Sequence, residues 1–188
     1  MLRLVDKRFP NSMENVSDFI VRWRSEENCL GAPRAYKRSP AGRINYQGAD
    51  DCAYAFPYAH FDSCFTESIE PLVRPLVEML VIKNFITYTS CEGHVLDANH
   101  LELHVGIVDY CTVKVGAVLE AMEAANRVLE EQGMMVAFKL YTGDLHCKTT
   151  GEIVPCLDFY LEGCGKASVV QYMSAREIAV GQFVHSMQ

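Results

Sequence analysis

At 188 residues the chain is long enough to bury roughly 70% of its unfolded surface, so neither disulfides nor a structural metal is needed to hold a core. Apolar residues make up 49% and charged residues 22%, an ordinary globular balance, and no apolar run reaches the roughly 18 residues that would span a bilayer. A net charge of −7 disfavours nonspecific adhesion to nucleic acid or to an anionic membrane.

The opening MLRLVDKRFPNS lacks the apolar stretch of a secretory signal, and a cytoplasmic protein with no membrane partner is expected. The eight cysteines, 29, 52, 64, 91, 111, 147, 156 and 164, include no C-x-x-C pair, and several fall inside apolar segments. They read as reduced, mostly buried thiols. One domain over 1–188 is expected, with a helix and a long loop over 1–61 and an α-β-β-α-β-β-α core over 62–188.

Asn11 with Glu14 forms a capping-box pattern ahead of Val16, Phe19, Ile20 and Trp23 at helical spacing, which predicts a helix over 12–27. From Cys29 to Asp62 no period holds. Arg34, Lys37, Arg38 and Arg43 cluster in this stretch, which reads as a binding loop or lid, or as a surface loop with solvated arginines. Residues 68–84 carry an apolar stripe, Ile69, Leu72, Val73, Leu76, Leu80 and Val81, and predict a helix with Pro71 and Pro75 in or near its first turn.

A short strand, Phe85 to Thr89, leads into the turn Ser90-Cys91-Glu92-Gly93-His94. A second strand, Leu101 to Val108, alternates Leu101, Leu103, Val105 and Ile107 with His100, Glu102 and His104. Val113 to Gln132 predicts a helix closed by Gly133. Strands follow at 134–141 and 153–161, with a polar connection between them, and Ser168 with Gln171 or Ser174 with Glu177 offers the cap of a last helix.

This order predicts an α+β fold of two layers, a mostly antiparallel sheet with its helices on one face and a polar, open other face. Val136, Phe138, Leu140, Leu157, Phe159 and Leu161 would face the helices. Lys139, Tyr141, Asp158 and Tyr160 would stand opposite, beside His100, Glu102 and His104.

Cys91 and His94, two residues apart around Gly93, fit a metal-ligand pair, a thiol activated by an imidazole, or a purely structural turn. His100, Glu102 and His104 resemble in type a two-histidine, one-carboxylate set for iron or zinc. Positions four apart on a strand lie about 13 Å from one another at roughly 3.3 Å per residue, so a composite site is the better arrangement, either His94 with His100 and Glu102, or Glu102 and His104 with a group from an adjacent strand. His60 and Asp62 form a further pair, Asp62 being readable as a helix cap.

Residues 62–94, DSCFTESIEPLVRPLVEMLVIKNFITYTSCEGH, resemble the N-terminal part of the wybutosine-pathway tRNA methyltransferase family. There an Asp precedes a helix and short strand that end in a turn of the type Ser-Ser-Cys-Ser-Gly-Arg. Ser90, Cys91 and Gly93 match this turn, while Glu92 and His94 replace the serine and arginine. The resemblance implies an α+β fold, an active site at the turn, S-adenosylmethionine as methyl donor and tRNA as substrate.

The residues themselves lead to an enzyme acting on a small polar or anionic molecule. Cys91, Glu92, His94 and Glu102 are its expected catalytic groups. Ser90, Arg34, Arg38, Lys139, Tyr141, Asp158 and Tyr160 are expected to hold the substrate, and a divalent iron or zinc at His94, His100, Glu102 and His104 would assist. A methyl-transferring RNA modifier and a non-catalytic ligand-binding or assembly protein are the alternatives.

Overall fold

The computed structural model describes residues 11–13, 15–25, 37, 38, 44, 45, 59–62, 65–96, 99–108, 110, 112–163 and 167–188. Arg34 and most of the long loop lie outside them.

The chain opens with β1 (Asn11–Met13) and α1 (Val16–Ser25). Asn15, not Asn11, caps the helix: its Oδ1 accepts from the Asp18 backbone N–H at 3.3 Å, and its amide donates to the Asp18 carboxylate. Asn11 is instead drawn into a parallel pairing with the far end of a long strand, opposite Leu145. In the stretch read as structureless, β2 (Lys37–Arg38) and β3 (Ile44–Asn45) form an antiparallel pair.

The helix expected over 68–84 is divided into α2 (Phe65–Ser68) and α3 (Arg74–Ile82). Pro71 falls in the turn between them, and Pro75 sits in the first turn of α3, where its missing N–H has no helical partner to lose. Asn84 closes α3 in the left-handed region at φ 59°. Its N–H reaches Val81 O at 2.8 Å and the Phe85 N–H reaches Leu80 O at 2.9 Å, the double bond of a Schellman end.

β4 (Ile86–Cys91) runs two residues further than expected. The strand expected over 101–108 is broken. Residues 99–101 form β6, paired with β5 (His94–Leu96) in a separate two-stranded ladder, and β7 (His104–Val108) alone joins the main sheet. Tyr172 causes the break by inserting its hydroxyl at the strand end. The Leu103 N–H donates to that oxygen at 2.7 Å and the phenol donates to Leu161 O at 2.9 Å.

α4 (Thr112–Glu131) ends at Gly133, φ 70°, as its sequence predicts. β8 (Val136–Cys147) and β9 (Ile153–Gly163) make a long hairpin, and α5 (Val169–Met187) begins with a complete capping box between Ser168 and Gln171.

The fold is α+β, with a mixed five-stranded sheet in the order β1-β8-β9-β7-β4, antiparallel except at β1. α4 and α5 pack on each other and on the β8–β9 hairpin. Phe183 of α5 stacks on Phe159 with centroids 5.6 Å apart and meets Phe138 at 6.0 Å, so the predicted inward set does form the core.

The layers are not strictly two. Past Tyr141 the buried side chains of β8 are Leu145 and Cys147, of the same parity as Lys139 and Tyr141. At that end the second face turns apolar, α1 packs against β8, and the sheet curls.

Candidate functional site

Strand register assembles the polar face. Directly opposite residues of antiparallel strands share a face, with Cβ atoms about 5 Å apart. One row across the sheet is Cys91, His104, Tyr160 and Lys139; the next is Thr89, Gly106, Asp158 and Tyr141. Four residue types with distinct chemistry thus line up from sequence positions as far apart as Cys91 and Tyr160, which no local motif displays.

The row members touch one another through their rings and bond to the flanking residues Glu162, Tyr88 and Cys156. The His104 and Tyr160 rings stack at 5.0 Å, and Tyr160 meets Tyr141 edge-on at 5.7 Å. The Tyr141 hydroxyl donates to Glu162 Oε1 at 2.6 Å, and Lys139 Nζ to Glu162 Oε2 at 2.9 Å. The Tyr88 hydroxyl donates to Asp158 Oδ1 at 2.6 Å, with the Cys156 thiol 3.6 Å from Oδ2. Burial and then the Asp158 charge push the Tyr88 phenol far above its ordinary ionisation range, so it remains a donor.

His104 Nδ1 lies 3.2 Å from the Glu102 carbonyl oxygen. A carbonyl only accepts, so Nδ1 carries the proton there and Nε2 is the basic nitrogen.

The face is polar, as expected, but its centre is not open to solvent: Asp158 is 5% and Glu162 8% exposed. Two buried carboxylates are held by phenols, a thiol and one lysine, in place of water. Lys139 is therefore engaged with Glu162 rather than standing as an isolated anion anchor.

The turn is built differently. Glu92 directs its carboxylate to the Leu72 backbone N–H at 3.0 Å, and its own N–H donates to Glu70 at 2.7 Å. Arg176, from α5, donates through one nitrogen to the carbonyls of both Glu92 and Gly93. Gly93 holds φ 83°, a conformation that glycine adopts without strain, and its N–H points at Cys91 Sγ at 3.4 Å. Burial, then the charge of Glu70, pushes the Cys91 thiol up to about 12, which keeps it protonated at neutral pH. Ser90 is half-buried on β4 opposite Val105. Thus the turn joins β4 to the approach to α3 and to α5.

The expected set His100, Glu102 and His104 does not share one strand face. His100 belongs to the β5–β6 ladder, Glu102 to the break, and His104 to the main sheet, because Tyr172 interrupts the strand between them. Among the described residues no three histidine, cysteine or acidic side chains come together where they could hold a metal ion. The side chains of Arg38, His94 and His100 lie outside the described residues, although their backbones pair with Ile44, Leu101 and Val95. Asp62 accepts from the Ala59 N–H at 2.8 Å and His60 packs on Trp23 at 5.0 Å, so this pair braces α1 against the segment before α2.

Sequence reading missed Tyr88, Cys156, Glu162, Glu70 and Arg176. Glu162 continues the alternation of Asp158 and Tyr160, and Gly106 in a strand interior is the mark of a close approach that leads to Tyr88. Arg176 has no local signal.

Comparison of the chain with protein-family models, with curated proteins and with solved structures finds no match.

Proposed function

We propose that the polar face of the five-stranded sheet binds a small polar molecule and transfers a proton to or from it. The observation that carries this reading is the pair of neighbouring rows, Cys91-His104-Tyr160-Lys139 and Thr89-Gly106-Asp158-Tyr141, on one sheet face. A hydrogen-bonded sheet fixes such side chains more rigidly than a loop does, and rigid placement is what acid–base chemistry requires. His104, with Nε2 basic, is the proton acceptor, since imidazole is the side chain whose ordinary charge change falls near neutral pH. Tyr160 supplies ring surface beside His104, and the buried Asp158 and Glu162 carboxylates fix the phenols and the lysine bonded to them. The Ser90–His94 turn borders this face at Cys91 and sets its edge.

The test is a panel of amino acids, sugars, sugar phosphates and nucleosides, with S-adenosylmethionine included for the methyl transfer that residues 62–94 imply by resemblance. Binding is read by thermal shift and ligand-observed NMR. At least one class should stabilise the wild type and lose its effect in His104→Ala and Asp158→Asn. A panel without a binder, or a binder indifferent to both substitutions, sinks the reading. Turnover of the bound compound separates an enzyme from a ligand-binding protein. Elemental analysis of the wild type and of Cys91→Ala, His94→Ala decides whether iron or zinc takes part.

A further inference from the structure

Gly106 stands in the interior of β7 opposite Asp158, and Tyr88 lies across it. The register of β4 on β7 shifts between Thr87 and Thr89, one residue more on β4 than on its partner. Tyr88 and Thr89 consequently approach the same glycine. A β-carbon at 106 would stand 2.5 Å from Asp158 Oδ1, 2.7 Å from Thr89 Cγ2, and closer still to Tyr88 Cε1.

A glycine inside a strand weakens it, and a bulge disrupts the ladder. Here the two coincide at one point, and what they jointly permit is a 2.6 Å bond from one phenol to one buried carboxylate. Such a short bond to a charged acceptor is strong and directional. The Cys156 thiol beside Oδ2 steadies the second oxygen.

We propose that Tyr88 is the positioning residue of the polar-face site, seated on Gly106 by the β4 bulge so that the buried Asp158 carboxylate keeps one orientation beside the row that carries His104 and Tyr160. The inference rests on the polar-face reading and extends it by assigning which group there acts through which.

Tyr88→Phe, which keeps the ring, and Gly106→Ala, which keeps both bonded residues, test it without and with added compounds. In proton NMR the half-buried, hydrogen-bonded Tyr88 hydroxyl should give a slowly exchanging resonance, lost in Tyr88→Phe. The same resonance should be lost in Gly106→Ala while the backbone amide spectrum remains that of a folded chain. Compounds of the panel that bind the wild type should bind both variants at least tenfold more weakly. Wild-type affinity in Tyr88→Phe, or a retained resonance in Gly106→Ala, overturns the positioning role alone. A wild type that binds no compound overturns the polar-face reading, and the role with it, whatever the resonance does.

Discussion

Tyr172→Phe removes a single oxygen, and the structure says what that oxygen does. Leu103 and Leu161 are neighbouring partners at the end of the β7–β9 ladder. One of their bonds is direct, Leu161 N–H to Leu103 O at 2.8 Å. The other is relayed through the Tyr172 hydroxyl, which accepts from Leu103 N–H at 2.7 Å and donates to Leu161 O at 2.9 Å. Tyr172 is 2% exposed, so water cannot simply replace the lost group.

Leaving two buried backbone groups unpaired costs about 1–3 kcal/mol each, which puts the substitution at about 2–6 kcal/mol if the strands stay apart. If they close and bond directly, the loss falls to about 1 kcal/mol. Urea unfolding followed by circular dichroism gives the total, and amide exchange at Leu103 tells the two cases apart. A variant as stable as the wild type, with Leu103 still protected through the same geometry, would refute the relay.

Removing the Glu92 carboxylate in Glu92→Ala should cost about 1–2 kcal/mol and speed amide exchange at Leu72, whose N–H it caps. Cys91, held protonated up to about 12 in the folded chain, contributes stability that is complete below the ordinary thiol range. That contribution is lost as pH rises from there toward 12, and a Cys91→Ala variant should show a flatter alkaline limb in urea titrations. Cys147 behaves oppositely. Hydrogen bonds from the Thr149 and Thr150 hydroxyls bring its thiol down to about 6. The Cβ carbon shift of Cys147 should therefore titrate near that pH, and later in Thr149→Val.

The parts of this fold readable in the sequence are those decided within a few residues. Alternation separated Phe138 and Leu140 from Lys139 and Tyr141. Gly133 marked the end of α4, and Ser168 with Gln171 marked the start of α5. The parts that were not readable are decided by distant residues. The break at Leu103 comes from a tyrosine 69 positions later, and the Glu92–Gly93 carbonyls are held by an arginine more than 80 positions away. Asn11 satisfied the local capping pattern, yet pairing with β8 claimed it for a strand and left the cap to Asn15. For the site, the residue types on β7, β8 and β9 were legible, whereas their union into rows required the register, and the bulge that brings in Tyr88 required the partner strand.

The β8–β9 hairpin, joined by only five residues between Cys147 and Ile153, also sets an order of events. Its closure loses little chain entropy, whereas β7, β1 and α5 must each find it across longer separations. Folding is expected to start there. Substitutions at Leu140 or Phe159 should slow refolding, and those at Met13 should mainly hasten unfolding, giving high and low φ-values respectively. The polar rows, which need β4 and β7 to dock in register on that hairpin, then come into being late, so the chemistry of the face is acquired only as the molecule completes itself.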